Sequence, residues 1–166
     1  YLAMDSTEQA FTEIKNLIDE YPYDMRYLTM LGDAYLENGK VDEAHQTFHE
    51  VLTKDPGYVP AMLSMASYYE KVGLDSLYRV HMDSLLLNKK VEDKTKVSIM
   101  RQLIYRSERG DKDSTKIVGL FNSVLAQEQE TADVAMLAAQ YLLSKKMDAE
   151  AKPVLWKVLE IDPENK

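Results

Sequence analysis

The sequence predicts an all-α fold, an α-α superhelix of about nine antiparallel helices without strands. The first observation is a period. Pro22 and Pro56 recur at a step of 34 residues, and Ala10, Ile14 and Leu17 return at that step as Ala44, Phe48 and Val51. Such a period marks stacked helix-turn-helix units, each burying its apolar face on the next. The second is a lack of strand signals. Six glycines and five prolines are few for a loop-rich chain, and no alternating apolar runs flank a hairpin dipeptide.

Each element follows from local spacing. A helix from about Asp5 to Glu20 carries Ala10, Phe11, Ile14, Leu17 and Ile18 on one face, with Asp5 or Ser6 as cap and Pro22 as terminator. A second runs from roughly Asp24 to Asn38 with Leu28, Leu31, Gly32 and Tyr35 inward, and Asn38-Gly39 makes the turn. A third spans Val41 to Lys54, with Ala44, Phe48 and Val51 inward, and closes at Asp55-Pro56. The next pair, from about Tyr58 to Asn88, uses Met62, Met65, Ala66 and Tyr69, then Gly73, then Asp75 as cap for Tyr78, Met82 and Leu85. Tyr78 stands where a small residue is expected, and the closing proline is absent.

The following pair departs from the period. Asp93 is read as the cap of a long helix to about Arg109, with Val97, Met100, Leu103 and Ile104 inward. Gly110-Asp111-Lys112-Asp113 is a longer loop, and a helix from Ser114 to about Gln127 buries Ile117, Phe121, Val124 and Leu125. The pattern then recovers. Thr131 starts a helix with Ala135, Ala138, Ala139 and Leu142, and Asp148 caps a last one with Ala151, Leu155 and Val158, ending at Asp162-Pro163. Pro153 is expected to bend it. Close helix crossings are expected at Gly32 with Ala44 and at Ala139 with Ala151, where small residues face each other.

Leucine, leucine-glycine and tyrosine on one helix (Leu28, Leu31-Gly32, Tyr35), then alanine, an aromatic and proline on the next (Ala44, Phe48, Pro56), resemble the tetratricopeptide repeat. The resemblance divides the chain into a partial repeat (residues 1–24, second helix only), repeats at 25–58 and 59–92, a lengthened degenerate repeat at 93–131, and a fourth at 132–166. It implies a groove lined by first helices that holds a protein or peptide. The groove positions it implies are Arg26, Thr29, Asp33, Leu36 and Glu37, then Leu63, Ser67 and Glu70, then Arg101 and Tyr105, then Met136, Gln140 and Leu143. Thr29, Asp33 and Leu63 replace the lysine and asparagines with which one subfamily clamps a chaperone C-terminus, so that ligand is not expected.

Composition narrows the function. A net charge of −8, with no basic cluster longer than Lys89-Lys90, argues against nucleic acid. The absence of cysteine removes disulfides, thiolate zinc sites and a thiol nucleophile. No apolar run reaches the ~20 residues of a membrane-spanning helix. The chain starts at Tyr1 and stops at Lys166 where a repeat would hand over to another helix, so it reads as a piece of a longer protein. His45 and His49 are four apart, a chelating spacing, but lack a third ligand, and His81 stands alone. Asp5, Asp75, Asp93, Asp113 and Asp148 each fit a helix start, and no carboxylate pair or glycine-rich loop suggests catalysis. No cofactor or metal is expected.

Asp-Ser-Thr at 5–7 and 113–115 and Asp-Ser-Leu at 75–77 and 83–85 resemble acceptors of a bacterial periplasmic O-glycosylation system, with Ser6, Ser76, Ser84 and Ser114 as acceptors. Helix capping explains three of the four equally well. Together with a general likeness to exported bacterial repeat proteins, some lipid-anchored, this points to the periplasm or outer membrane ahead of the cytoplasm. The expected function is a non-enzymatic scaffold for protein interaction. The alternative is a regulatory or accessory region of a larger protein whose catalytic or signalling domain lies elsewhere. Phe11, Ile14, Ile18, Trp156 and Leu159 are expected to expose apolar surface at the two ends and to drive end-to-end association.

Overall fold

A computed structural model describes residues 2–110 and 114–164, with side chains from Ser6 onward. Among these residues there are nine helices and no strand: α1 (Leu2–Glu20), α2 (Met25–Glu37), α3 (Val41–Lys54), α4 (Val59–Lys71), α5 (Asp75–Leu87), α6 (Asp93–Arg109), α7 (Ser114–Leu125), α8 (Asp133–Ser144) and α9 (Asp148–Ile161). They fall into two compact units, residues 1–85 and 86–166.

In the first unit, α2 packs most extensively on α3, and α4 packs on both. Ala44, Phe48, Val51, Ala61 and Ala66 have no exposed surface, with Met62 and Met65 buried beside them. Leu28, Leu31 and Tyr35 are half-buried. Gly32 meets the ring of Phe48: a Cβ on Gly32 would lie 2.4 Å from Phe48 Cε1. The expected partner of Gly32 was Ala44, one helical turn earlier. The ring fills the space the missing side chain leaves, which is why a glycine and a large aromatic occur together. Ala10 is exposed, because α1 is packed by α2 and Ala10 lies off that contact.

In the second unit, α8 packs on α9 and also touches α6 and α7. Ala138, Ala139, Ala151, Val134 and Ala135 are buried, with Phe121 of α7 and Tyr141 of α8 5.9 Å apart between ring centroids. Leu155 is exposed and Val154 is buried in its place, a shift of one residue on α9. Pro153 lies inside α9, on its solvent face.

Two kinds of turn repeat. Gly39 and Gly73 have φ of 75° and 76°, in the left-handed region that glycine tolerates. There Lys40 and Leu74 N–H donate to the carbonyls of Tyr35 and Tyr69, closing the helix end. The α8–α9 turn is the same, with Met147 N–H donating to Leu142, but its left-handed residue is Lys146 at φ 58°. The links back to a first helix use side chains: Asp55, Asn88 and Asp162 each accept from the backbone N–H two residues on. Asn88 thus supplies the turn where the proline is missing.

Most of the expected aspartate caps are displaced. Asp75, Asp93 and Asp148 are the first residues of their helices rather than caps, and α1 begins before Asp5 and Ser6. Asp113 lies outside the described residues. In the first turn these carboxylates still complement the helix dipole. The cap the sequence reading missed is Asp24, whose side chain accepts from Arg26 N–H. Thr131 precedes α8 by two residues, and its hydroxyl accepts from Asp133 N–H.

Candidate functional site

Each unit presents a stripe along a pair of neighbouring first helices. In the first unit, one face of α2 runs through Arg26, Met30 and Glu37, exposed, and Asp33, half-buried, at the 4-3-4 spacing of one helix face. Beside it on α4 lie Leu63 and Ser64, half-buried, and Ser67 and Glu70, exposed. Two expected positions are corrected. Thr29 and Leu36 are buried: Thr29 donates its hydroxyl to the Met25 carbonyl at 2.8 Å, and Leu36 joins the cluster of Ala44, Phe48 and Met65. Both lie about 100° round the helix from this face. Met30, exposed on the stripe, was missed, although counting four on from Arg26 and three back from Asp33 finds it.

Charge is set locally. Arg26 grips Asp24 with two parallel bonds, Nε to Oδ1 at 3.0 Å and NH2 to Oδ2 at 2.6 Å, so the guanidinium holds the Asp24 carboxyl below its usual range. Burial pushes the Asp33 carboxyl up, with Glu37 adding to it and a hydrogen bond from Ser64 opposing it. Lys71 donates to the Leu36 carbonyl, tying α4 to the end of α2. At the edge of this stripe a shallow cleft of about 620 Å³ is lined by Tyr21, Tyr23, Tyr58, Asp24 and Arg26.

In the second unit, Lys94, Val97 and Arg101 of α6 face Asp133, Met136, Leu137 and Gln140 of α8 across a depression of about 170 Å³. The structure therefore brings together three expected positions, Arg101, Met136 and Gln140. Tyr105 and Leu143 are exposed one turn further along, and Tyr105 accepts from Arg109 at 2.5 Å. Lys145 pairs with Glu108 at the end of this stripe.

Two of the three histidines are packing residues. The rings of His45 and His49 are 6.2 Å apart; His45 is half-buried 5.0 Å from Tyr68 of α4, and His49 is exposed. His81 sits edge-on to Tyr69, and burial holds its imidazole below the ordinary range. Among the described residues no three His, Cys, Asp or Glu side chains are grouped to hold a metal, and no helix is long and apolar enough to cross a membrane.

Antiparallel helix pairs joined by short turns at a 34-residue period define a helical-repeat protein. Their residues and turns identify the fold as the tetratricopeptide-repeat fold, as two solved structures also show. A tetratricopeptide repeat protein from Parabacteroides merdae is similar over 99% of this chain, with 18% identity and a TM-score of 0.52. This chain spans 62% of the length of that protein. A structure of MamA is similar over 98% of this chain and 92% of its own, with 14% identity and a TM-score of 0.51. No protein-family model matches the chain, and neither does any curated protein.

Proposed function

We propose that the chain is a non-enzymatic scaffold that holds a segment of another protein, an extended peptide or a helix, on the exposed stripes of its first helices. The observation that carries this is the make-up of those stripes. Met30, Leu63, Met136 and Leu143 interleave with Arg26, Asp33, Arg101 and Gln140 on rigid helices whose opposite faces form the core. Adaptable methionines beside directional polar groups suit side-chain recognition of a partner. The net charge of −8 supports a protein rather than a nucleic acid as that partner. The four repeat boundaries at 24/25, 58/59, 92/93 and 131/132 are part of the same reading.

The reading extends to the ends and the setting of the chain. Trp156 is 68% exposed, with Leu155 and Leu159 beside it, and supports association at the α9 end. Phe11, Ile14 and Ile18 are half-buried, with Phe11 5.0 Å from Tyr35, so the α1 end contributes less than expected. Ser6, Ser76 and Ser84 are exposed and Ser114 half-buried, which is compatible with modification in an exported bacterial, lipid-anchored protein. The mass of the protein isolated from its native cell tests that point: unmodified serines would remove it.

The test of the main reading is partner capture with the natural protein, followed by substitution. Met30→Glu and Gln140→Arg on the stripes should each weaken the captured partner about tenfold or more, whereas Lys116→Glu on α7 should not. Equal binding by all three would overturn the assignment.

A further inference from the structure

We propose that the lengthened third repeat builds a second binding site, a polar cavity that takes a carboxamide, either a peptide unit or an Asn or Gln side chain. The cavity lies within the second unit and has a volume of about 700 Å³. Its walls are residues 89–93 with Lys96 on one side and residues 126–130 on the other. It is distinct from the stripe of Lys94, Arg101, Met136 and Gln140, with which it shares no lining residue.

Two features of the walls define the ligand. Lys96 is 3% exposed, yet among the described residues its ammonium makes a single long bond, 3.4 Å to Gln127 Oε1. An ammonium carries three donors, so two remain for a ligand. Among the same residues Gln129 Oε1 is buried without a partner. Its orientation is fixed, because Gln129 Nε2 donates to the carbonyls of Val124 at 2.8 Å and Gln127 at 2.9 Å, using both of its hydrogens. Two residues that line the cavity therefore carry a committed acceptor and a charged donor. Leaving either unmade costs free energy, so a ligand that completes both gains on both.

Charge selects among ligands. Three lysines line the cavity against four carboxylates, Glu92, Asp93, Glu128 and Glu130, which favours a neutral group over an ion of either sign. A carboxylate would satisfy Lys96 but meet the Gln129 oxygen with another acceptor. A carboxamide offers a carbonyl to Lys96 and an N–H to Gln129. The site is also held in shape before binding. Asp93 Oδ2 accepts from the backbone N–H of Glu130 at 3.0 Å and of Thr131 at 2.8 Å, and Gln127 Nε2 donates to the Leu87 carbonyl at 2.9 Å.

The test is an amide-resolved NMR titration of the full chain with acetamide, N-methylacetamide, N,N-dimethylacetamide and acetate. Saturable shifts confined to residues 89–96 and 126–131 are expected with acetamide or N-methylacetamide. A preference for acetamide indicates an Asn or Gln side chain as the natural ligand; a preference for N-methylacetamide indicates the peptide unit. Dimethylacetamide, which lacks the N–H, should bind roughly tenfold more weakly, and so should the better amide to Lys96→Met. Acetate binding as well as the amides, dimethylacetamide matching them, or no saturable shift in this region would each overturn the proposal. If Lys96→Met does not fold, the comparison of the four probes on the unaltered protein decides it alone.

Discussion

The two units use the same repeat but hold it differently. In the first, contact between helices is mainly apolar, with Lys71 to the Leu36 carbonyl and Ser64 to Asp33 as its polar ties, and its fixed points are Gly32 against Phe48 and the glycine turns at Gly39 and Gly73. In the second, the link from α7 to α8 departs from the repeat and is fastened by polar side chains. Asp93, 6% exposed, accepts from two backbone N–H groups and the Thr131 hydroxyl. Gln127 and Gln129 bond to nearby carbonyls, and Lys157 of α9 donates to the Leu125 carbonyl. A regular repeat satisfies its backbone with standard turns. An irregular one must satisfy each stray N–H and C=O individually, because buried ones left unpaired are costly.

That contrast is sharpest at two residues. Phe48→Ala should destabilise the first unit by about 3–5 kcal/mol, since the ring is fully buried and its loss leaves a void beside Gly32. Chemical denaturation checks this, and a loss below about 1 kcal/mol would mean the helices close over the gap. Asp93→Ala should cost about 2–3 kcal/mol, because two N–H groups lose a charged acceptor. Its effect is local: hydrogen exchange should rise at Glu130 and Thr131 while the amides of α3 are unchanged.

Two smaller effects separate regular from irregular turns. Lys146 occupies the position held by Gly39 and Gly73, at φ 58°. Lys146→Gly should raise stability by about 1 kcal/mol, read as a higher melting temperature, whereas Gly39→Lys should lower it. The smallest is a pH effect at His81. Its folded imidazole lies below the ordinary value of 6.5 because burial disfavours the cation. The unfolded chain therefore takes the proton first, and stability present above about pH 6.5 is lost as pH falls through that range. His81→Gln should flatten this part of the pH profile. The raised Asp33 carboxyl has the opposite sign, gaining stability as pH falls, and acts closer to the usual carboxylate range.

The fold was legible because its signal is periodic. Gly32, Ala44, Phe48 and Val51 recur at the spacing that buries them, and the bounds of α3 and α6 follow directly from the pattern. The candidate stripe was half legible. Arg26, Asp33 and Glu37 fall on it, but Thr29 and Leu36 are turned into the core, since a helix face is about 100° per residue and an error of one position moves a side chain from groove to interior. The role of Asp93 was not legible at all. An aspartate ahead of an apolar run reads as a helix cap, and only the folded chain brings residues 130 and 131, nearly forty positions away, within reach of its carboxylate. The same holds for Lys96, Gln127 and Gln129, whose polar character reads as a solvated surface.

The stripes differ as the cores do. The first carries Asp33, Glu37 and Glu70 beside Arg26, and the second carries Lys94 and Arg101 beside Asp133. That these faces hold the partner is the central functional claim, and site-specific photo-crosslinking in the native cell tests it most directly. A photoreactive residue at Met30 or Gln140 should crosslink one and the same partner protein, whereas one at Thr53 on α3 or Lys116 on α7 should not. Crosslinking to that partner from Thr53 and Lys116, with none from Met30 and Gln140, would contradict the account.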